Sequence, residues 1–317
     1  MINTLFFIPK AISIGPLKIT FYAIFILIGA ILAYKLSQGI VKKKGYDPSS
    51  LETLFYVAFP AGIIGARIWY VIATFPEKFA NRPFYEVFFI WEGGLAIQGG
   101  VLLGVIVGVL FMLKFRPNIP TLWVADIIVP HILLAQAIGR IGNFFNQEVY
   151  GGCIPAWEWL PDFIQDRLTL VISDTGYTGD YLCPGEGSQM VLPLFMIEGL
   201  INVAGYFILR FGVPALFKWI GKISSNKITL APGDIMCGYF IWYGTVRAIL
   251  EPLRNSKDIM GDYVSVWASL VYILIGVVGI VLCHVFRHKW ENKILKTQVV
   301  ENSEAAETAV DVTKKDS

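Results

Sequence analysis

The chain has 317 residues, of which 55% are hydrophobic and 16% are charged, and its formal net charge is +2. A mean hydropathy of +0.60 excludes an ordinary water-soluble domain, and the small net charge provides no basic surface for nucleic acid. The composition therefore predicts an integral membrane protein.

Seven apolar windows predict transmembrane helices, because about 20 apolar residues in a helix cross a hydrocarbon core of roughly 30 Å. They lie near residues 19–39, 53–75, 94–114, 121–144, 191–211, 233–250 and 264–284. We therefore expect an all-α, polytopic membrane protein with seven transmembrane helices in one catalytic domain, residues 1–290. A long loop, 145–190, separates the fourth helix from the fifth.

The lysines and arginines predict the orientation. With the N-terminus outside, 16 of the 26 basic residues fall in cytoplasmic segments, seven in outer segments and three within the membrane. This excess favours an outer N-terminus and a cytoplasmic C-terminus, which places loop 145–190 outside. Residues 291–317 are polar and lack apolar periodicity, so they are predicted to form a disordered cytoplasmic tail.

The third predicted helix begins with two pairs of glycines, Gly93-Gly94 and Gly99-Gly100, on either side of Gln98. Such glycines favour an irregular helix start, which is tolerated at membrane depth where the backbone is buried in protein or lines a cavity. The spacing of Gly100, Gly104 and Gly108 predicts a helix-packing face. In the second helix, Arg67 is a buried guanidinium whose role the pattern does not define.

The fourth predicted helix carries Gln136, Arg140 and Asn143 at positions i, i+4 and i+7, which lie on one helix face. A charged side chain in hydrocarbon costs about 2.5–3.5 kcal/mol, so an intramembrane arginine indicates a functional site. The alternative is a network of hydrogen bonds between helices. Beyond the helix, the polar or flexible residues that could form a mouth at the membrane surface are Asn146, Glu148 and Gly151.

The sixth predicted helix carries Tyr239, Tyr243, Arg247 and Glu251 at successive i+4 steps. Arg247 and Glu251 can form a helical ion pair. A second deep arginine also suggests an anion shared with Arg140. The alternative is that Arg247 extends to the membrane surface and the tyrosines belong to an aromatic belt.

The cysteines and histidines predict no metal site. Cys153 and Cys183 both fall in loop 145–190, where a disulfide is permitted but not required. Cys237 and Cys283 are expected to be small buried residues. His131 is expected to be a hydrogen-bonded packing residue.

These motifs resemble those of the prolipoprotein diacylglyceryl transferase family. Its signature, Gly-Arg-x-Gly-Asn-Phe-x-Asn-x-Glu, is matched from Gly139 to Glu148. The other motifs of the family occur in its order over residues 10–285, namely Tyr22, the Arg67 segment, Gly93–Gly100, Pro193 with Glu198, and Tyr243–Arg247. The resemblance is specific because several separate polar motifs agree.

The resemblance implies transfer of an sn-1,2-diacylglyceryl group from phosphatidylglycerol to the lipobox cysteine of a preprolipoprotein in the bacterial cytoplasmic membrane. A thioether forms and glycerol phosphate leaves, without a cofactor. The implied catalytic residues are Arg140, Arg247, Tyr243 and Gln98. The implied substrate-binding residues are Arg140, Tyr22, Asn143, Asn146, Glu148, Gly151 and Arg67. The arginines would hold the phosphate, and Glu148 would order the loop near Arg140.

One residue departs from the family pattern. Many members carry a histidine where this chain has Gln98, and an amide cannot act as the base for the attacking thiol. The identity of the base therefore stays open, and a catalytically silent lipid-binding paralogue is one alternative. A transporter for an anionic solute is another, since arginines also line anion paths. The sequence has no internal repeat of the kind that many transporters show.

Overall fold

The computed structural model describes residues 11–14, 17–90, 93–117, 119–146, 148–169, 189–223, 229–254 and 264–287. Its helices are α1 (Phe21–Lys43), α2 (Ser49–Thr74), α3 (Ile97–Phe115), α4 (Thr121–Asn146), α5 (Asp162–Thr169), α6 (Leu194–Phe207), α7 (Val213–Ile223), α8 (Asp234–Leu250) and α9 (Val264–Val285). Its strands are β1 (Ala11–Ile14), β2 (Leu17–Thr20), β3 (Cys153–Pro155) and β4 (Gln189–Val191). The predicted tail, 291–317, lies outside the described residues.

The prediction of an all-α, polytopic membrane protein is confirmed. Within the described ranges, six helical segments are long and apolar enough to cross a membrane: Phe21–Lys43, Ser49–Phe79, Ile97–Phe115, Thr121–Asn146, Leu194–Ile223 and Val266–Val285. The other predicted crossing, 233–250, is helix α8, which has 17 residues. That length is at the lower limit for a bilayer. The count of seven and the orientation stay predictions.

The described residues form two compact units. The first takes its residues from 1–35, 129–216 and 237–277, and the second from 36–128, 217–236 and 278–317. The single domain that we predict for residues 1–290 stays a prediction.

In the first unit, the segment after α4 folds onto α6 and α8. Strands β3 and β4 pair in antiparallel register, with Ile154 opposite Met190. Met190 and Leu168 of helix α5 are almost fully buried in a core that also includes Leu194 of α6 and Leu250 of α8. This apolar core fixes the chain that leaves the C-terminal end of α4, which is the end that carries the predicted polar column.

In the second unit, α2 and α3 pack through glycines. A Cβ atom on Gly100 would lie 3.1 Å from the carbonyl oxygen of Gly62, and one on Gly104 would lie 3.4 Å from that of Ala58. The predicted packing face is thus confirmed. The closest approach is at Gly99, where a Cβ atom would overlap the carbonyl oxygen of Gly65.

We expect Gly99→Ala to destabilise the protein by about 1–3 kcal/mol, because the new methyl group must push α2 away. The matched control is Gly108→Ala, whose methyl group would meet Leu54 and Ala58 at ordinary distances of 3.5 and 3.7 Å. The control should be neutral or slightly stabilising, since alanine favours a helix over glycine by about 1 kcal/mol. Unfolding in detergent measures both. Equal midpoints for the two variants would contradict close packing at Gly99.

The cysteines agree with expectation where they are described. Cys153 is disulfide-bonded, and Cys183, the partner considered for it, lies outside the described residues. Cys237 and Cys283 are buried and do not form disulfides, which confirms that they are small buried residues. His131 is 1% exposed and packs near the ring of Tyr206, as expected of a packing residue.

Candidate active site

The polar column of α4 faces α8 within the first unit. Gln136 donates a hydrogen bond from Nε2 to the hydroxyl of Tyr239, at 2.9 Å. One turn further along α4, Arg140 donates from Nη1 to the side-chain oxygen of Asn143, at 3.4 Å. The two columns that the sequence predicts separately, on α4 and on α8, therefore belong to one site.

Five charged side chains form a series of alternating sign, which we call the charge ladder: Arg140, Glu198, Arg247, Glu251 and Arg254. Arg140 pairs through Nη2 with one oxygen of Glu198, and Nη1 of Arg247 lies 3.9 Å from the other oxygen. Nη2 of Arg247 contacts Glu251 at 2.5 Å. Nη1 of Arg254 completes the ladder at 3.3 Å from Glu251.

The ion pair predicted between Arg247 and Glu251 is confirmed. The side chain of Arg247 is 17% exposed and lies between Glu198 and Glu251, which favours a role in the site over the alternative in which it extends to the membrane surface. The anion shared by Arg140 and Arg247 is a carboxylate of the protein itself, Glu198. The carboxylates of Glu198 and Glu251 are buried, and each is paired with two guanidiniums, as the high cost of burying an unpaired charge requires.

Glu198 is the residue whose role the sequence reasoning missed. It appears in the resemblance only as part of a motif, with no partner assigned. A signal was present, because Glu198 is the only acidic residue in the apolar helix α6, and a charge in such a segment indicates a functional site.

A cluster of tyrosines on α8 and α9 lies next to the ladder. The rings of Tyr239 and Tyr243 stack with centroids 5.8 Å apart, and Tyr272 of α9 meets the ring of Tyr243 edge-on at 5.4 Å. The phenol of Tyr243 lies close enough to interact electrostatically with Arg247 and Glu198. Tyr243 is thus placed beside both arginines.

Tyr22, at the start of α1, packs against Gly142 of α4. A Cβ atom on Gly142 would lie 2.7 Å from Cδ2 of Tyr22, so the missing side chain makes room for the ring. From this position the phenol interacts electrostatically with Arg140 and with Glu148. The structure therefore brings Tyr22 to the predicted site.

The end of α4 carries the remaining residues of the signature. Asn143 is buried, Asn146 is half-buried and Glu148 is exposed, with its N–H bonded to the carbonyl of Asn143 at 3.1 Å. Gly151 is buried, and its N–H donates to Leu192 at 2.9 Å. Gly151 is held by backbone contacts, and its predicted role with substrate stays a prediction.

Two predicted site residues, Arg67 and Gln98, belong to the second unit. Arg67 is buried, and its guanidinium donates to the carbonyl oxygens of Val87 at 2.7 Å, Glu86 at 3.0 Å, Gly93 at 2.8 Å and Gly94 at 3.2 Å. These bonds occupy four of its five N–H donors. Arg67 therefore holds the segment that leads into α3.

Gln98 is the second residue of α3. The irregular start predicted for this helix is confirmed, since Gly93 and Gly94 have φ angles of 89° and 72° and the helix begins at Ile97. The Gln98 side chain is exposed, and it has no hydrogen-bond partner among the residues that the structure describes. Its catalytic assignment stays a prediction.

A cavity of about 400 Å³ opens beside Arg140 in the first unit. Its walls come from α1, α4, α5 and α6 and are almost entirely apolar; besides Arg140 they include Leu32, Phe144, Leu168, Phe195 and Gly199. An arginine at an apolar cavity suits an anionic amphiphile, with the charged group at the guanidinium and an alkyl chain along the wall. Within the described ranges, no group of three or more histidine, cysteine, aspartate or glutamate side chains could hold a metal ion.

The model of a family described as prolipoprotein diacylglyceryl transferase matches residues 9–282. The chain belongs to this family. It is 38% identical over 275 residues to a phosphatidylglycerol–prolipoprotein diacylglyceryl transferase of Streptococcus suis, covering 86% of this chain and 91% of the relative. Relatives of the same name from Streptococcus agalactiae and Streptococcus equi are 34% and 35% identical, covering 86% and 87% of this chain and 95% of each relative. The motifs of the family thus identified it correctly.

Proposed function

We propose that the protein transfers the sn-1,2-diacylglyceryl group of phosphatidylglycerol to the lipobox cysteine of a preprolipoprotein. The observation that carries the proposal is the pair of arginines joined through Glu198 beside an apolar cavity. An amphiphile with a phosphodiester group matches that pairing, because guanidinium groups bind phosphate oxygens in a fork.

In the proposed reaction, the cysteine sulfur attacks the carbon of the diacylglyceryl group that is joined to the phosphate oxygen. A C–S bond forms, the C–O bond to the phosphate breaks, and its electron pair leaves with glycerol phosphate. Arg140 and Arg247 stabilise the charge that develops on the departing oxygen. Within the part of the chain that the structure describes, Arg140 uses two of its five N–H donors, on Asn143 and Glu198, so others are available for this contact.

The thiol must also lose its proton. A thiol pKa near 8.5 falls beside cationic groups, so the arginines favour the thiolate. Gln98 cannot accept the proton, which leaves the phosphate or another group to take it. We propose that Tyr22, Tyr243, Asn143 and Asn146 orient the phosphate and glycerol.

The contacts of the remaining residues suggest supporting roles. We propose that Glu148 orders the chain after α4 and that Gly151 keeps that chain close to its neighbouring strand. Arg67 would position the start of α3 for substrate, since its donors bind backbone carbonyls there. The setting we propose is the outer face of a bacterial cytoplasmic membrane, which agrees with a disulfide at Cys153.

The orientation gives a direct prediction. A membrane-impermeant thiol reagent added from outside should label cysteines introduced in loop 145–190, and it should not label cysteines introduced at Lys42 or after Lys289. A background without native cysteines removes other labelling, and permeabilised cells show that every site reacts. Labelling at Lys42 but not in the loop would place the site on the cytoplasmic face and contradict the proposal.

Gln98 gives a second prediction. We expect Gln98→Ala to lower activity about ten- to a hundredfold if the amide binds a charged group of the substrate, a bond of about 1.5–3 kcal/mol. The pH profile should keep its shape, because an amide does not titrate. Gln98→His should add a titration near pH 6–7. A fully active Gln98→Ala would remove the residue from the reaction, whereas activity in Gln98→His alone would make the natural chain a silent paralogue.

Purified protein mixed with phosphatidylglycerol and a lipobox peptide tests the proposal. Mass spectrometry should detect a diacylglyceryl thioether on the peptide, and free glycerol phosphate should appear in equal amount. A peptide whose lipobox cysteine is replaced by serine is the control, since its hydroxyl is a poor nucleophile at neutral pH. Flux of an anionic solute through proteoliposomes without modified peptide would instead support a transporter.

A further inference from the structure

The charge ladder has a net charge that its pairing does not cancel. Its three guanidiniums and two carboxylates leave one positive charge. Glu198 lies between Arg140 and Arg247, and its side chain is 3% exposed. Without that carboxylate, the ladder would carry two positive charges, and Arg140 would lose its carboxylate partner while Arg247 kept Glu251.

We propose that Glu198 sets the charge of the site so that it accepts a monoanionic phosphodiester and disfavours a dianionic phosphomonoester. This inference rests on the proposed function, in which the substrate is a phosphodiester and the product is a phosphomonoester. Glu198 is here a specificity residue that acts through the two arginines.

The charges of substrate and product give the physical reason. A phosphodiester carries one negative charge at neutral pH, so its binding brings the sum of ladder and ligand to zero. A phosphomonoester approaches two negative charges above its second pKa near 6, so the same sum becomes negative. Unbalanced charge is costly where the effective dielectric constant is low. Cleavage of the substrate therefore turns a matched ligand into a mismatched one, which favours product release.

Other titratable groups lie next to the ladder. Tyr22 on α1 interacts electrostatically with Arg140 and with Glu148 beyond α4, and Tyr243 on α8 interacts with Arg140, Glu198 and Arg247. Tyr239 on α8 and Tyr272 on α9 pack against the ring of Tyr243. Glu148 is exposed, so solvent and salt weaken its effect, and its negative charge acts in the same direction as that of Glu198. His131 lies nine residues before Arg140 on α4, about 13 Å along the helix axis.

The test compares two soluble ligands in detergent-solubilised protein. Glycerol phosphate changes from monoanion to dianion between about pH 5.5 and 7.5, whereas glycerophosphoglycerol keeps one negative charge over that range. Isothermal titration should show that wild-type affinity for glycerol phosphate falls severalfold as the pH rises, while affinity for glycerophosphoglycerol stays constant. The second ligand corrects for titration of the protein itself.

Glu198→Gln should reverse the trend for glycerol phosphate, with affinity about tenfold above wild type at the higher pH, because the ladder then carries two positive charges. The matched control is Glu86→Gln, which removes a carboxylate paired with the exposed Arg82 in the second unit and should behave like wild type. If Glu198→Gln does not fold, the comparison of the two ligands in the wild-type protein still tests the preference for a monoanion. Wild-type affinity for glycerol phosphate that rises with pH, or that follows glycerophosphoglycerol, would overturn the inference.

These binding measurements separate the inference from the proposed function. If the wild-type protein forms the thioether but binds both ligands alike, the proposed function stands and the proposed charge preference is wrong. If the protein prefers the monoanion but forms no thioether, the charge preference stands and the proposed transfer reaction is wrong.

Discussion

Replacing Arg140 by glutamine is expected to lower the rate of diacylglyceryl transfer by about a hundredfold or more. Removal of one well-placed donor to a developing negative charge has an effect of this size. The substitution also leaves Glu198 without its guanidinium partner on α4, so the remaining arginine must neutralise the carboxylate as well as the phosphate.

The graded variant is Arg140→Lys, which retains the charge but loses the planar fork. We expect a loss of at least about tenfold, equivalent to roughly 1.4 kcal/mol of transition-state stabilisation. Initial rates with phosphatidylglycerol and a lipobox peptide measure both variants. The control is Arg82→Gln, an exposed arginine of the second unit, which should retain the wild-type rate. An Arg140→Lys variant with the wild-type rate would remove Arg140 from the site.

The sequence predicted the features that depend on spacing within one helix. Gln136, Arg140 and Asn143 share a face because of helical periodicity, and the pair formed by Arg247 and Glu251 follows from an i+4 step. The glycine face of α3 follows from the same geometry. Each of these needs only local regularity, which a pattern in the sequence records directly.

Contacts between distant segments could not be predicted in the same way. Glu198 is 58 residues from Arg140, and spacing alone does not say which faces of α4, α6 and α8 meet. The contacts of Arg67 could not be predicted either, because its partners are backbone carbonyls, which every residue has and no sequence pattern reveals. Its assignment to substrate came from the resemblance, whereas its contacts hold the start of α3.

The helix that follows the fifth predicted crossing was also missed. The apolar window 191–211 indicated one helix, but a π-helical turn, Ile208–Gly212, separates α6 from α7. The turn includes the charged residue Arg210. Hydropathy does not detect a π-helical turn, because such a turn is defined by the register of its hydrogen bonds and not by its composition.

The second large effect is expected at Glu251, where Glu251→Ala should lower the free energy of unfolding by about 3–5 kcal/mol. The carboxylate is 3% exposed and pairs with Arg247 at 2.5 Å and with Arg254 at 3.3 Å. Removing it leaves two half-buried guanidiniums without this partner, and breaking an ion pair with a buried carboxylate from one side has a cost of this size.

The matched control is Glu86→Ala, which breaks an ion pair with Arg82 whose side chain is 55% exposed. An exposed pair contributes about 0–1 kcal/mol, so this variant should unfold close to wild type. Unfolding by a denaturing detergent in mixed micelles compares the three proteins under one condition. If Glu251→Ala is no less stable than Glu86→Ala, the ladder is not a buried network, and its two carboxylates do not hold the arginines in place. If only Glu251→Ala is destabilised, the arginines of the site depend on the protein's own anions for their positions before any substrate binds.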